Sequence, residues 1–523
     1  MDIIALLFTP LIYTNLIKYC LSIYQQQYYK TNRFIQCLIK NIDKKKLFNK
    51  CIITFGYIIV SICFIYFFKV PTYLIFLYTI ITLMLLDTQK DYIVPLKYTH
   101  RIKRSFITIY TLLYISLFSL YFLLDKSNIF FLFYNVLLIH FISIVTIISM
   151  LCLLPIEKKI REKYALKAKM SLLESKKLKT IGITGSYGKT STKNILTTIL
   201  SSSYDVLATP KSYNTPMGIS NCINNEKVYL YDYFIAEMGI DEVKGMDRLL
   251  SIISPCYAII TSIGPMHLKT FKSIDRIINE KMKLACSIDK DGVVIINNDN
   301  EYLREYDKSK IKAKVVTVGI DNPSDVMATN IICDENGSTF DVIYKDHSFP
   351  ISLPLPAKIN ILNTLSAIAL ALEVYVSEEK IISSLSSIKP IAHRLVLNKR
   401  NNHTIIEDSY NSNIEGFSNA LDVLSKYSEK KIVITPGLIE LGKYNKEYNT
   451  RIAKTIVSSC NEIVLIKNKS SMYIKEEIKR LSPTFSIIEV DNFYDANRYI
   501  SKMYTNENIV VLIENDLPDN YLN

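Results

Sequence analysis

The stretch "KTIGITGSYGKTSTKNIL", Lys179 to Leu196, decides how the second half of the chain is read. An apolar, β-branched run ends at Thr184, a loop Gly185-Ser186-Tyr187-Gly188 follows, and Lys189-Thr190-Ser191 opens a helix-like segment. Strand, glycine loop and helix N-terminus together aim backbone N–H groups and the positive end of a helix dipole at one point, which suits a polyphosphate. In such a loop Lys189 reaches the β- and γ-phosphates and the Thr190 hydroxyl holds magnesium. Counted from Gly185 the pattern is Gly-x-x-Gly-Lys-Thr, two residues shorter than the ordinary six-residue spacing.

Downstream, short β-branched runs alternate with amphipathic segments. "TIGITG", "YDYFIAEMG", "CYAIITSIG" and "GVVIINND" come in order, the pattern of a parallel sheet with helices on its faces. An insert, 339–356, alternates like an antiparallel hairpin. From about residue 391 the pattern restarts with "HTIIED", "KIVITPG", "NEIVLIK", "FSIIEVD" and "NIVVLIEND". Two tandem α/β domains, 179–390 and 391–523, account for this better than one large sheet.

Upstream the chain changes character. Four long apolar segments, 51–68, 72–86, 106–124 and 129–155, approach or exceed the roughly 20 residues that span hydrocarbon, and a weaker one lies at 3–17. The loops 30–50, 90–104 and 157–170 are rich in lysine and arginine, whereas the turns Lys69 to Pro71 and Asp125 to Asn128 are short. Positive loops stay in the cytoplasm. The expectation is a multi-pass transmembrane region over 1–155 in the cell membrane, a basic linker over 156–178, and cytoplasmic domains beyond it. Asn135 and His140 in the last span are assigned no function.

Hydrophobic residues make up 49% of the 523, with most of the excess before Pro155, and the formal charge is +13. The lysines cluster beside apolar spans and form no separate basic domain with stacking aromatics, so a lipid bilayer is the expected partner and nucleic acid is not. Ten cysteines show no Cys-x-x-Cys pair and no zinc spacing, and are read as reduced thiols.

The loop at Lys189 resembles the nucleotide-binding loop of the Mur ligase family, ATP-dependent amide-forming enzymes of cell-wall precursor synthesis. Further matches follow in the family's order over 178–510. "AEMG" supplies Glu237, a magnesium ligand in the family; "SIGPMHL" supplies His267; and "NEKMKL" supplies Lys281, similar to the lysine that many members carbamylate to bind a second magnesium. "VVIINNDN" places Asn297 and Asn298 near the adenine, while Arg394 of "HRLVL" and Asp408, Tyr410 and Asn411 of "IEDSYNSN" resemble nucleotide contacts of the carboxy-terminal domain. "DSYNSN" and "ELGKYNKEYN" look most like the branch that adds D-alanyl-D-alanine to the muramoyl tripeptide.

The resemblance implies a central P-loop ATPase-like parallel-sheet domain followed by a Rossmann-like one, with ATP and Mg2+ as cofactors. Gly185 to Ser191 would cradle the nucleotide, Lys189, His267 and Lys281 would act in catalysis, and Asn214 and Thr215 would face substrate. Thr190 and Glu237 would hold one magnesium, His267 and carbamylated Lys281 a second. The substrates implied are a cell-wall precursor or related carboxylate and an amino acid or dipeptide amine. Plainer roles compete: a lysine-paired strand-end carboxylate at 237, a helix-capping imidazole at 267, a surface lysine at 281, a loop cap at 408.

The chain also departs from the family. Lys283 stands where a glutamate is usual, Ala357 and Ile359 replace a glycine and a histidine although Asn363 remains, Pro436-Gly437 replaces Gly-Asp, and a terminal Lys-Gly-Ser is absent. Membrane spans stand in place of the family's uridine-nucleotide domain, which leaves a UDP-sugar substrate open. Two rival readings are a poly-γ-glutamate synthase-like ligase and a nucleotide-binding membrane scaffold without catalysis.

Overall fold

The computed structural model describes residues 10–11, 13–27, 29–40, 59, 63, 96–123, 128–211, 213–334, 337–388, 395–400, 402–408, 413–439 and 441–515. Two compact units divide it, Met1–Arg161 and Glu162–Asn523.

Among its described residues the first unit holds α1 (Thr14–Gln26), α2 (Thr31–Lys40), α3 (His100–Leu123) and the first part of α4 (Asn128–Glu174). Ile102, Ile109, Leu113 and Leu117 recur along one face of α3 and pack with Ile17, Leu21, Phe34, Ile142 and Met150. The opposite face is also apolar, yet Ile107, Ile115, Phe118 and Phe122 there are exposed. Arg104 donates to buried Glu157 at 2.8 Å, and Arg101 lies over the Tyr29 ring.

The apolar segments expected at 106–124 and 129–155 fall in α3 and α4; those at 51–68 and 72–86 lie outside the described residues except Ile59 and Cys63, as does most of 3–17. Among the described residues one helical stretch, Phe141–Glu174, is long and apolar enough to cross a membrane. Much of the basic stretch expected as a linker, up to Glu174, is helical and belongs to α4.

The second unit contains two sheets. The first runs through β1 (Lys179–Thr184), β2 (Val206–Ala208), β3 (Tyr233–Glu237), β4 (Tyr257–Ile260), β5 (Val293–Asn297), β6 (Lys314–Gly319), β7 (Val326–Asp334), β8 (Gly337–Tyr344) and β9 (His347–Leu353), in the spatial order β2-β3-β1-β4-β5-β6-β7-β8-β9. Strands up to β7 pair in parallel; β7, β8 and β9 pair antiparallel, with Tyr344 opposite His347 across a two-residue turn. The hairpin expected over 339–356 is therefore present, with β7 as a third antiparallel partner.

The parallel strands are apolar on both faces because both faces are covered. Ile181, Ile183, Ile235, Ile259 and Ile295 face one core, and Phe234, Ala236, Ala258, Ile260 and Val294 face the other. The chain leaves β1 on one side for β2 and β3, then returns on the other for β4. This reversal opens a crevice at the carboxyl end of β1, where ligands of such sheets bind.

The helices that bear on this crevice are α5 (Lys189–Leu200), α6 (Pro216–Asn225), α7 (Gly245–Leu250), α8 (Leu268–Phe271), α9 (Ile274–Cys286) and α10 (Lys358–Glu373). After α11 (Glu378–Ser386) the second sheet begins: β10 (Val396–Arg400), β11 (His403–Asp408), β12 (Lys430–Thr435), β13 (Glu462–Ile466), β14 (Ser486–Val490) and β15 (Ile509–Glu514), ordered β10-β11-β15-β12-β13-β14. All its pairs are parallel except β10 with β11. α12 (Ile414–Ser425) and α13 (Asn445–Ser459) pack on it around Phe417, Leu421 and Ile452.

Candidate functional site

The loop between β1 and α5 is braced from the segment that follows β4. Ser186 N–H donates to Ser262 O at 2.7 Å, Tyr187 N–H to Ser262 Oγ at 3.1 Å, and Gly264 N–H to Ser186 Oγ at 2.9 Å. Two glycines are required by this path. A Cβ on Gly185 would stand 2.0 Å from Thr261 Oγ1, and Gly188 takes φ +77° with Asn363 Oδ1 only 2.2 Å from where its Cβ would be. Gly188 precedes α5 and supplies no side-chain cap, and a helix N-terminus at the end of a glycine loop is the arrangement that receives an anion.

Four side chains converge on Glu237, which is 1% exposed at the end of β3. Its Oε2 accepts from Thr190 Oγ1 at 3.0 Å and from Lys193 Nζ at 3.2 Å, and its Oε1 accepts from Asn214 Nδ2 at 3.2 Å. Thr209 Oγ1 accepts from the Glu237 N–H at 3.1 Å. Both competing readings of Glu237 therefore meet here: the carboxylate is lysine-paired, and it also stands beside the hydroxyl of the phosphate loop. Thr215 caps α6, accepting from Gly218 N–H.

A small, open pocket adjoins the loop, lined among others by Gly185, Lys189, Met266, His267, Phe271 and Lys281. Lys189 Nζ donates to Gly185 O at 2.8 Å and Ser186 O at 3.2 Å, and Lys281 Nζ donates to the same Gly185 O at 2.8 Å. Lys281 is no surface lysine: it is 3% exposed on α9, and burial, followed by the charge of Lys189, holds its ammonium well below the usual lysine range. His267, in a left-handed conformation with φ +51°, occupies the N-cap position of α8 without a capping side-chain bond. Lys283 faces away, bridging Glu280 at 3.0 Å and Asp247 at 2.6 Å.

On the other side of the loop, buried Asn297 donates to Thr261 O at 2.9 Å and accepts from Asp299 N–H at 3.0 Å, bracing the turn beside the crevice; Asn298 donates outward to Pro323 O. Tyr187 is buried, and its hydroxyl has no hydrogen-bond partner among the described residues. Burial, then Glu415, raises its pKa well above the usual phenol value. Asp408 ends β11, and Arg394, Tyr410 and Asn411 lie outside the described residues.

Three residues of the site were not singled out for it from sequence. Lys193 lies four residues after Lys189, a spacing that puts both on one face of α5. Glu415 follows the "DSYNSN" motif by two residues and is pushed up to about 7 by burial, Arg451 opposing. Asn363, noted only as retained, accepts from Thr192 Oγ1 at 3.3 Å under Gly188.

Thr190 and Glu237 offer a hydroxyl and a carboxylate, hard oxygen donors that fit magnesium. Among the described residues no group of three His, Cys, Asp or Glu side chains is placed to hold a metal by itself.

Residues 183–371 match the Mur ligase middle domain. The UDP-N-acetylmuramoyl-tripeptide–D-alanyl-D-alanine ligase of Buchnera aphidicola subsp. Baizongia pistaciae is 31% identical over 289 residues, 55% of this chain and 62% of that protein. That of Escherichia coli K12 is 27% identical over 296 residues, 56% of this chain and 65% of that one. The chain thus spans less than two thirds of the length of these relatives. Among solved structures, MurF from Acinetobacter baumannii superposes with a TM-score of 0.62 at 23% identity, covering 68% of this chain and 77% of that one. MurF from Thermotoga maritima in complex with ADP gives 0.60 at 20%, covering 68% and 80%. These two share the fold. The phosphate loop, Glu237 and Lys281 all fall within residues 183–371, and the chain carries a Mur ligase middle domain.

Proposed function

We propose that this protein is an ATP-dependent ligase that joins an amine to the carboxylate of a cell-wall precursor, the D-alanyl-D-alanine type of reaction named for its relatives. The observation that carries the reading is the convergence on one loop of Lys189, the Thr190–Glu237 pair and buried Lys281. Amide formation from a free carboxylate is uphill in water, so the carboxylate oxygen first attacks the γ-phosphorus and ADP leaves. The amine nitrogen then attacks the carbonyl carbon of the acyl phosphate, phosphate departs, and the nitrogen loses a proton.

This chain's residues serve those steps by holding charge in place. The N–H groups at the head of α5 receive the phosphates, and Lys189 places its ammonium beside the oxygens that gain charge. Thr190 and Glu237 would hold one magnesium, His267 and carbamylated Lys281 a second; bound there, the metals neutralise crowded phosphate and carboxylate oxygens. The depressed basicity of Lys281 supports carbamylation, because a neutral amine is the form that attacks CO2 and then loses a proton. An unmodified ammonium would repel the metal.

Anchoring to the cell membrane belongs to the same proposal. It is supported by the apolar stretch Phe141–Glu174 and by α3, apolar on its packed and its exposed face alike. The test is to incubate the purified full chain with ATP, UDP-muramoyl tripeptide or its lipid-linked form, and D-alanyl-D-alanine, and to read product masses and ADP. A new amide with stoichiometric ADP supports the reading; ATP binding without amide from any candidate pair overturns it.

A further inference from the structure

Glu237 already carries a cation. Lys193 Nζ lies 3.2 Å from Oε2, and both side chains are 2% exposed, so this pair is shielded from water and from salt. The same oxygen accepts from Thr190 Oγ1 at 3.0 Å, and the other oxygen is taken by Asn214 at 3.2 Å. The ammonium is itself fixed from a third direction, donating to Lys211 O at 2.6 Å. One lysine thereby ties together the phosphate-loop helix, the end of β3 and the 209–215 segment that carries Asn214.

From this geometry we infer that Lys193 is a positioning residue that makes metal entry conditional on nucleotide: its ammonium neutralises Glu237, so a divalent cation is held only when it arrives with phosphate charge. The inference rests on the proposed Thr190–Glu237 magnesium site. A divalent ion shared by Thr190 and Oε2 would share that oxygen with the ammonium, and in a buried setting the repulsion between them is large. A single carboxylate cannot offset three positive charges. The polyphosphate of ATP supplies the missing anions, after which Lys193 keeps Glu237 and the 209–215 segment in register. Asn214 and the Lys211 carbonyl make the arrangement specific, since each fixes one partner of the pair: the first the carboxylate, the second the ammonium.

The test measures Mn2+ binding by electron paramagnetic resonance at pH 7.5, on the full chain, with and without ADP. Wild type is expected to bind Mn2+ detectably at this site only with ADP. Lys193→Gln is expected to bind Mn2+ without nucleotide at least about tenfold more tightly than wild type, as removal of a buried like charge requires, and Glu237→Gln to bind none there. Lys193→Arg, which keeps the charge, should retain the nucleotide requirement. Circular dichroism checks that each variant is folded, and the wild-type measurement stands without them. If wild type binds Mn2+ as tightly without ADP as with it, or if Lys193→Gln leaves the ADP-free affinity unchanged, the inference is overturned while the metal site stands. If Glu237→Gln binds Mn2+·ADP as wild type does, the site itself is misplaced and both fall.

Discussion

Lys189 and Lys281 share one acceptor, the Gly185 carbonyl, each at 2.8 Å. Two ammonium groups so close are tolerated because the buried one gives up its charge easily, and that has a stability cost. Its folded pKa is depressed, so the native state binds the proton less well than the unfolded chain, and the penalty persists through neutral pH until the pH approaches the usual lysine value of 10.5. Lys281→Met should therefore raise thermal stability at pH 7.5, while removing ligase turnover; unfolding curves that show a loss would mean that the amine is not strained there. Lys281→Ala should lose turnover and regain part of it with added formate, which enters the vacated ligand position. For Lys189→Ala, a fall in turnover of at least about a hundredfold with the circular dichroism unchanged is expected, since such contacts strengthen in the transition state. Sequence gave the identity and order of these residues; it could not give their partners. Lys281 looks like a surface lysine in "NEKMKLA", and only the packing of α9 against β1 buries it.

At the scale of elements, the loop and α10 are built to fit each other. Gly188 has φ +77° and leaves no room for a Cβ beneath Asn363 of α10. Gly188→Ala is expected to destabilise the protein by roughly 1–3 kcal/mol and to weaken ATP binding, measured by calorimetry, whereas an exposed alanine change on α11 should do neither. A second element-level device is the first turn of α12. Half-buried Glu415 titrates at about 7, above its ordinary 4.5. Its folded pKa is raised, so the native state favours the protonated form and stability falls as pH rises from about 4.5 to 7, then levels. Glu415→Gln should flatten that slope and raise stability at pH 8 by about 2 kcal/mol; parallel melting curves for the two proteins from pH 5 to 8 check it, and an unchanged slope excludes Glu415 as its source. The strands around these sites were legible because β-branched runs buried on both faces can be recognised without partners. The third antiparallel strand β7 was not, since its exposed alternate residues resemble a loop.

For the whole molecule, the paired apolar segments and basic loops predict that 30–50, 90–104 and everything past 156 face the cytoplasm. A cysteine placed at Ser127 should label with a membrane-impermeant reagent from outside the cell, and labelling only after permeabilisation would reject that topology. The sequence by itself determined that an apolar amino-terminal region precedes two α/β layers with a phosphate loop at their head. Those features depend on local composition and periodicity, which the chain carries residue by residue. Only the tertiary structure decided that Glu237 is shared by Thr190, Lys193 and Asn214, that Lys281 is buried against the Gly185 carbonyl, and that Asn297 braces a turn. The contacts of Glu237 and Lys281 join residues 23 to 96 positions apart across the reversal at β1. Which side chains meet there is set by strand order and register, and no local pattern in the sequence encodes either.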